Sequence, residues 1–150
     1  MRFVDFHDER ISTNGITLRC RYAGAGPAVV LLHGWCGSSH TWRNVAPLLT
    51  DRYTVIVPDV RGNGDSEKPE SGYDASTCSA DVAGLLDHFN IDRAHVVGHD
   101  MGAPIALVFS GIFPKRSLSV TYLDEPYPVT ISNTTRRFVA KIMAAFGSLV

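Results

Sequence analysis

Ala28–Leu32 is an unbroken apolar run that stops at His33-Gly34. A strand without a polar side must be covered on both faces, which is the condition of a parallel sheet carrying helices above and below. Further runs follow. Tyr53–Val57 stops at Pro58-Asp59, Ala94–Val97 at Gly98-His99-Asp100, and Ser117–Leu123 at Asp124-Glu125-Pro126. Stripes at helical spacing lie between and beyond them. They are Trp42, Val45, Leu48 and Leu49, then Val82, Leu85, Leu86 and Phe89, and finally Val139, Ile142, Met143 and Phe146. Ala103–Phe113 reads as an apolar helix closed by Pro114. Upstream, Asn14-Gly15 is a hairpin signal, and Ile16, Leu18, Cys20 and Tyr22 alternate with polar residues as in a strand with one buried face. Strand–helix alternation of this kind predicts an α/β fold with a mostly parallel sheet and flanking helices.

Composition excludes several classes. The 150 residues are 45% hydrophobic and only 19% charged, which argues against disorder. Lys+Arg is 14 and Asp+Glu is 15, a formal net charge of −1, so charge gives no reason to expect nucleic acid or anionic lipid as a partner. No apolar stretch approaches the roughly 20 residues needed to span a bilayer. Met1–Arg10 carries Asp5, Asp8 and Glu9 and lacks the apolar centre of a signal peptide. Cys20, Cys36 and Cys78 cannot all pair and form no CxxC, so a reduced, cytoplasmic setting is expected. His33, Cys36 and His40 are too few ligands in one loop to predict a metal site, and no cofactor is expected.

His33, Asp59, Asp100 and Asp124 all fall at strand ends, where α/β sheets gather their binding groups. Gly98-His99-Asp100-Met101-Gly102 has the G-x-nucleophile-x-G form of a nucleophile elbow with Asp in the central place. Its glycines suit a turn too tight for side chains, and the helix beyond offers free N–H groups that favour an ionised carboxylate. Such a carboxylate can displace a leaving group at saturated carbon and form a hydrolysable ester. The same Asp can also simply cap the helix. The loop His33-Gly34-Trp35-Cys36-Gly37 can aim the Trp35 N–H at the same place, where with the Met101 N–H it would make an oxyanion hole; a plain strand-to-helix turn is the alternative. Asp59 to Ser66 reads as turn chemistry that shapes the loop beside the pocket. Ser38, Ser39 and Ser66 do not sit on an elbow, which disfavours a serine esterase.

With HG after one strand, DxRGxGxS after the next and GHDxGA after the third, the chain resembles the α/β-hydrolase superfamily from about Ile11 to Pro128. Asp at position 100 makes it similar to the epoxide hydrolase and haloalkane dehalogenase branch. The resemblance implies that Asp100 is the nucleophile, that Trp35 and Met101 supply oxyanion donors, and that a histidine-activated water cleaves the ester. Asp124 matches the place where some dehalogenases keep the acid that orients this histidine; a purely structural carboxylate there is the alternative.

Three departures from the family pattern stand out. Cys36 occupies the proline place of HG-x-P. Met101 replaces the tryptophan whose N–H holds halide in dehalogenases, which counts against dehalogenation. None of the six histidines matches the family's late base. Residues 1–128 are therefore expected to be the N-terminal part of the hydrolase core and 129–150 the start of the lid. The final strands and most of the lid are expected to be absent. The expected function is epoxide opening through an ester on Asp100, acting on a small organic substrate. The alternatives are a catalytically silent truncated or split hydrolase, and a haloalkane or haloacid dehalogenase. Self-association, or pairing with a missing C-terminal half, is expected from exposed apolar surface and an unpaired sheet edge.

Overall fold

The structure is a computed structural model that describes residues 1–124. The last helical stripe, Val139–Phe146, and the lid boundary at 129 lie outside the described residues.

The Asn14-Gly15 turn joins β1 (His7–Thr13) to β2 (Ile16–Ala23) as an antiparallel hairpin with Thr13 opposite Ile16. Both turn residues take positive φ, 47° and 76°, the pairing that makes Asn-Gly suited to this turn. β3 (Ala28–Leu32), β4 (Thr54–Pro58), β5 (Ala94–His99) and β6 (Ser117–Leu123) follow. The sheet order is β1-β2-β4-β3-β5-β6. β2 meets β4 antiparallel, and the remaining pairs from β4 through β6 are parallel. The mostly parallel α/β architecture expected from the apolar runs is therefore present. Because β4, β3, β5 and β6 point the same way, Asp59, His33, Asp100 and Asp124 come to one edge of the sheet.

Alternation along β3 splits its side chains between two cores. Val30 and Leu32 join Leu18, Ile56 and Val96 against α2 (Ala75–His88) and α3 (Gly102–Ile112). Val82, Leu85 and Leu86 supply the α2 side of that core, and Ile105 and Phe109 the α3 side. Val29 and Leu31 join Val55 and Val57 on the opposite face, under Phe3, Phe6, Trp42 and Ala46. All five residues of β3 are buried, as a strand without a polar side requires.

Two local expectations change. The stripe at Trp42, Val45, Leu48 and Leu49 is not one helix. It is a 3₁₀ turn at Ser39–Trp42 and then the single-turn α1 (Ala46–Leu49). Pro47 stands at the start of α1, where its missing N–H is harmless, but it cannot extend a helix running in from Trp42. Of the stripe itself only Trp42 is buried, beside Ser39 and Ala46, while Leu48 is 78% exposed. β5 is also less enclosed than its apolar run suggested. Ala94, Val96 and Gly98 are buried, whereas His95, Val97 and His99 are half-buried. Among the described residues β6, like β1 at the other end, is an edge strand, with Leu118 and Leu123 39% and 38% exposed.

Candidate active site

The elbow is built by close backbone contact. A Cβ on Gly98 would lie 2.1 Å from the Gly102 carbonyl oxygen. One on Gly102 would lie 2.5 Å from the Leu32 carbonyl oxygen. Only glycine lets β5, the start of α3 and the end of β3 approach this closely. Between them Asp100 takes φ 49°, a left-handed conformation unusual for a residue with a side chain. Its backbone is held on both sides. The Asp100 N–H donates to Leu123 O at 2.9 Å, and Asp100 O accepts from Ala103 N at 2.8 Å. Strain at one residue, over-determined by its neighbours, is a common mark of a functional turn.

The β3 loop meets this residue. The Trp35 N–H donates to Asp100 Oδ2 at 3.0 Å, across 65 residues of chain. Gly34 makes that approach possible, since a Cβ there would stand 2.6 Å from the same oxygen. Met101 follows Asp100 directly and is the N-cap residue of α3, so its amide belongs to the same turn. The Trp35 side chain is 74% exposed, and Cys36 beside it is exposed at φ 52°. Asp124 lies one residue beyond the carbonyl that anchors Asp100. It is exposed and takes φ 52°.

Asp59 does the loop-shaping that the turn chemistry predicted. Its fully buried carboxylate accepts from Ser39 N at 2.6 Å and Asp65 N at 2.9 Å. Ser66 Oγ donates to Asp59 O at 2.6 Å, which uses that hydroxyl structurally. His33 joins the two loops. Val60 N donates to its Nε2 at 2.9 Å, and its Nδ1 sits 2.8 Å from Gly34 O. Burial holds the His33 pKa below 6.5, opposed by the Gly34 hydrogen bond and the Asp59 charge. Burial likewise pushes the Cys78 thiol up to about 12 and raises Cys20, so neither is a ready nucleophile. Among the described residues no group of three or more His, Cys, Asp or Glu is placed to hold a metal.

Sequence reasoning missed two features beside the site. One is the Leu123 carbonyl that anchors the elbow. The other is a buried Arg61–Asp81 ion pair that fixes the start of the Asp59–Ser66 loop on α2. Backbone carbonyls leave no trace in a side-chain pattern. The pair joins residues on separate elements with no motif to link them.

A family model described as the alpha/beta hydrolase fold matches residues 27–149. The chain belongs to the α/β-hydrolase family. The soluble epoxide hydrolase of Corynebacterium sp. (strain C12) is 47% identical to this α/β-hydrolase over 97 residues, 65% of the chain and 34% of the relative. The fluoroacetate dehalogenase of Burkholderia sp. is 33% identical over 144 residues, 93% of the chain and 47% of the relative. Among solved structures, the epoxide hydrolase CorEH matches with a TM-score of 0.79 and 34% identity, covering 92% of the chain and 50% of that protein. Epoxide hydrolase A from Mycobacterium thermoresistibile gives 0.79 and 36%, covering 90% and 44%. The chain thus spans half or less of the length of these relatives. Among the described residues no helix is long and apolar enough to cross a membrane.

Proposed function

We propose that this α/β-hydrolase opens an epoxide through a covalent ester on Asp100. The observation that carries the reading is the Trp35 N–H at 3.0 Å from Asp100 Oδ2, on an elbow that turns through φ 49°. This contact divides the labour between the two carboxylate oxygens. Oδ2 is held by an amide, so Oδ1 is the one free to attack. Oδ1 bonds to a ring carbon, the carbon–oxygen ring bond breaks, and the ring oxygen leaves as an alkoxide that takes up a proton. Water then adds to the ester carbonyl, whose oxygen is Oδ2. Negative charge develops where the Trp35 N–H already points, with the Met101 N–H as the second donor. Collapse releases the diol and restores the carboxylate. In this scheme Asp124 is the acid that orients the water-activating histidine, 1–128 is the N-terminal part of the core and 129–150 begins the lid.

The epoxide hydrolase relatives support this substrate class. One observation favours a second reading, in which the chain alone stops at the ester or is silent. Among the described residues no histidine is hydrogen-bonded to the Asp100 carboxylate. The rings of His33, His88 and His95 are engaged with Gly34 and Val60, with Glu9, and with Ser119.

The test is to expose the chain to a chromophoric terminal epoxide, then follow intact mass and map peptides. An adduct of one epoxide on the peptide carrying Asp100, absent from Asp100→Asn, is the expected result. Its accumulation marks a chain that performs only the first step. Its decay in heavy-oxygen water, with label in the Asp100 carboxylate, marks the full cycle. An adduct elsewhere, or none at all, overturns the assignment. Halide release from a haloacid without reaction on epoxides favours dehalogenation, as the fluoroacetate dehalogenase relative suggests.

A further inference from the structure

His33 is fully buried, and both of its ring nitrogens are committed. Val60 N–H is only a donor, so the Nε2 that it meets at 2.9 Å must carry a lone pair. The proton of the neutral ring is therefore on Nδ1, which donates to Gly34 O at 2.8 Å. Burial disfavours the doubly protonated ring, which would also set Nε2–H against Val60 N–H.

Gly34 O belongs to the same peptide unit as the Trp35 N–H. That unit is planar and trans, so its carbonyl and its N–H point in opposite directions and turn together. Two donors grip the carbonyl, His33 Nδ1 and the Gly37 N–H at 3.1 Å. The opposite end of the peptide then faces Asp100 Oδ2 at 3.0 Å. The packing leaves little freedom to rearrange, since a Cβ on Gly37 would lie 3.0 Å from both Gly34 O and His33 Nδ1. The far side of the ring is fixed by Val60, beside the buried Asp59.

We propose that His33, as its Nδ1–H tautomer, is the positioning residue for the candidate oxyanion donor: it clamps the Gly34 carbonyl and so aims the Trp35 N–H at Asp100. The proposal deepens the hydrolase reading and rests on the Trp35 amide being that donor. A ring that merely packs is replaceable by another side chain of its size. A ring that aims a peptide must keep a hydrogen-bond donor at the Nδ1 position.

Asparagine and glutamine separate the two roles. The Asn amide nitrogen stands near the Nδ1 position and keeps a donor for Gly34 O. The Gln side chain reaches the Nε2 position, so it keeps an acceptor for Val60 N and loses the donor.

The test needs no catalysis, so its failure is distinguishable from failure of the Asp100 assignment. Long-range proton–nitrogen NMR of the 150-residue chain reads the tautomer, and amide exchange reads the Trp35 N–H. The expected result is a neutral Nδ1–H ring. Trp35 exchange should rise roughly tenfold in His33→Gln, the scale of one lost hydrogen bond, and stay near wild type in His33→Asn. Exchange at Val96, deep in the core, reports any general loss of stability and normalises the comparison. An Nε2–H tautomer, equal Trp35 exchange in the two variants after that correction, or an unchanged rate in His33→Gln each overturn the proposal.

Discussion

The Trp35 amide donates to the Asp100 carboxylate at 3.0 Å, and the backbone between them allows this only because residue 34 has no side chain. A Cβ on Gly34 would sit 2.6 Å from Asp100 Oδ2 and 2.7 Å from Asp100 Cβ. Gly34→Ala must therefore push the loop and the elbow apart. The expected outcome is a loss of Asp100 ester hydrolysis on the order of 10²-fold, the usual scale for one oxyanion donor. Urea unfolding should move much less, because the collision lies at the site rather than in the core. Rates of adduct decay by mass spectrometry, beside a urea curve, check both parts. Unchanged ester hydrolysis would detach the Trp35 amide from the chemistry.

Much of this site was legible in the residues themselves. The unbroken apolar run at Ala28–Leu32 demanded a buried parallel strand, and β3 is one. The polar groups at the ends of parallel strands had to share an edge, which puts Asp100 within reach of the Trp35 amide. The glycines of the elbow marked close backbone approach. What stayed hidden follows from contact rather than pattern. Pro47 splits a periodic stripe that hydrophobicity alone reads as one helix. The second hydrogen bond of His33 comes from Val60, 27 residues away, and nothing local announces it. The Arg61–Asp81 pair is equally remote from any motif.

Gly98 and Gly15 are glycines for different reasons, and their alanine variants should separate. At Gly98 the obstacle is backbone, the Gly102 carbonyl oxygen at 2.1 Å and its carbon at 2.4 Å, and neither can move without displacing α3 from β5. At Gly15 there is nothing within 4 Å, only a φ of 76°. Gly98→Ala is expected to cost on the order of 3 kcal/mol or more, as overpacking of a core does. Gly15→Ala should cost about 1 kcal/mol, the scale of backbone strain at positive φ. Urea midpoints of the two variants give the ordering, and a reversed order would contradict the elbow's packing.

Arg61 and Asp81 form two hydrogen bonds of 2.6 Å, with both side chains only 4% exposed. Asn14 Nδ2 donates to the same carboxylate at 2.9 Å, so the hairpin turn, α2 and the loop after β4 meet there. Asp81→Leu leaves the guanidinium buried without its counter-charge and is expected to cost about 3–5 kcal/mol. Replacing both partners, Arg61→Met with Asp81→Leu, removes the stranded charge and should recover much of that loss. A double-mutant cycle in urea measures the coupling. Additive single effects would show that the pair does not act as a unit.

His33 gives the fold an acid limit separate from that of the carboxylates. Its folded pKa lies below the ordinary 6.5, chiefly through burial, so the unfolded chain binds its proton first as pH falls. More protons on the unfolded state means that stability drops with pH. The His33 contribution is complete above 6.5, erodes on descending through that value, and levels off below the folded pKa. Asp5, Asp8 and Asp74, held below 3.8 by hydrogen bonds from Arg2, Arg19 and Thr77 respectively, act in a lower window. Their contributions are lost only as pH falls through those depressed values. Urea unfolding from pH 7.5 to 5 should show a slope in wild type that is reduced in His33→Asn. Parallel slopes would assign the effect to other groups.

Cys36 tests whether the HG-x-P form of the epoxide hydrolase branch is compatible with this loop. Its φ is 52°, a left-handed conformation, whereas a proline ring holds φ near −65°. The difference is too large to absorb in one residue, and the Trp35 N–H lies only one peptide further upstream. Installing the family's proline by Cys36→Pro must therefore either turn the Trp35–Cys36 segment or strain the grip of Gly37 N–H on Gly34 O at 3.1 Å. Both routes loosen the donor. The variant is expected to exchange its Trp35 amide faster and to hydrolyse the Asp100 ester more slowly, roughly in proportion to one weakened hydrogen bond, about tenfold. Cys36→Ala removes the thiol and should keep the native turn. Cys36→Gly tolerates positive φ best and is expected to match or exceed wild type in stability. If Cys36→Pro instead protects the Trp35 amide, the loop has a second, proline-compatible arrangement that holds the donor better than the one described.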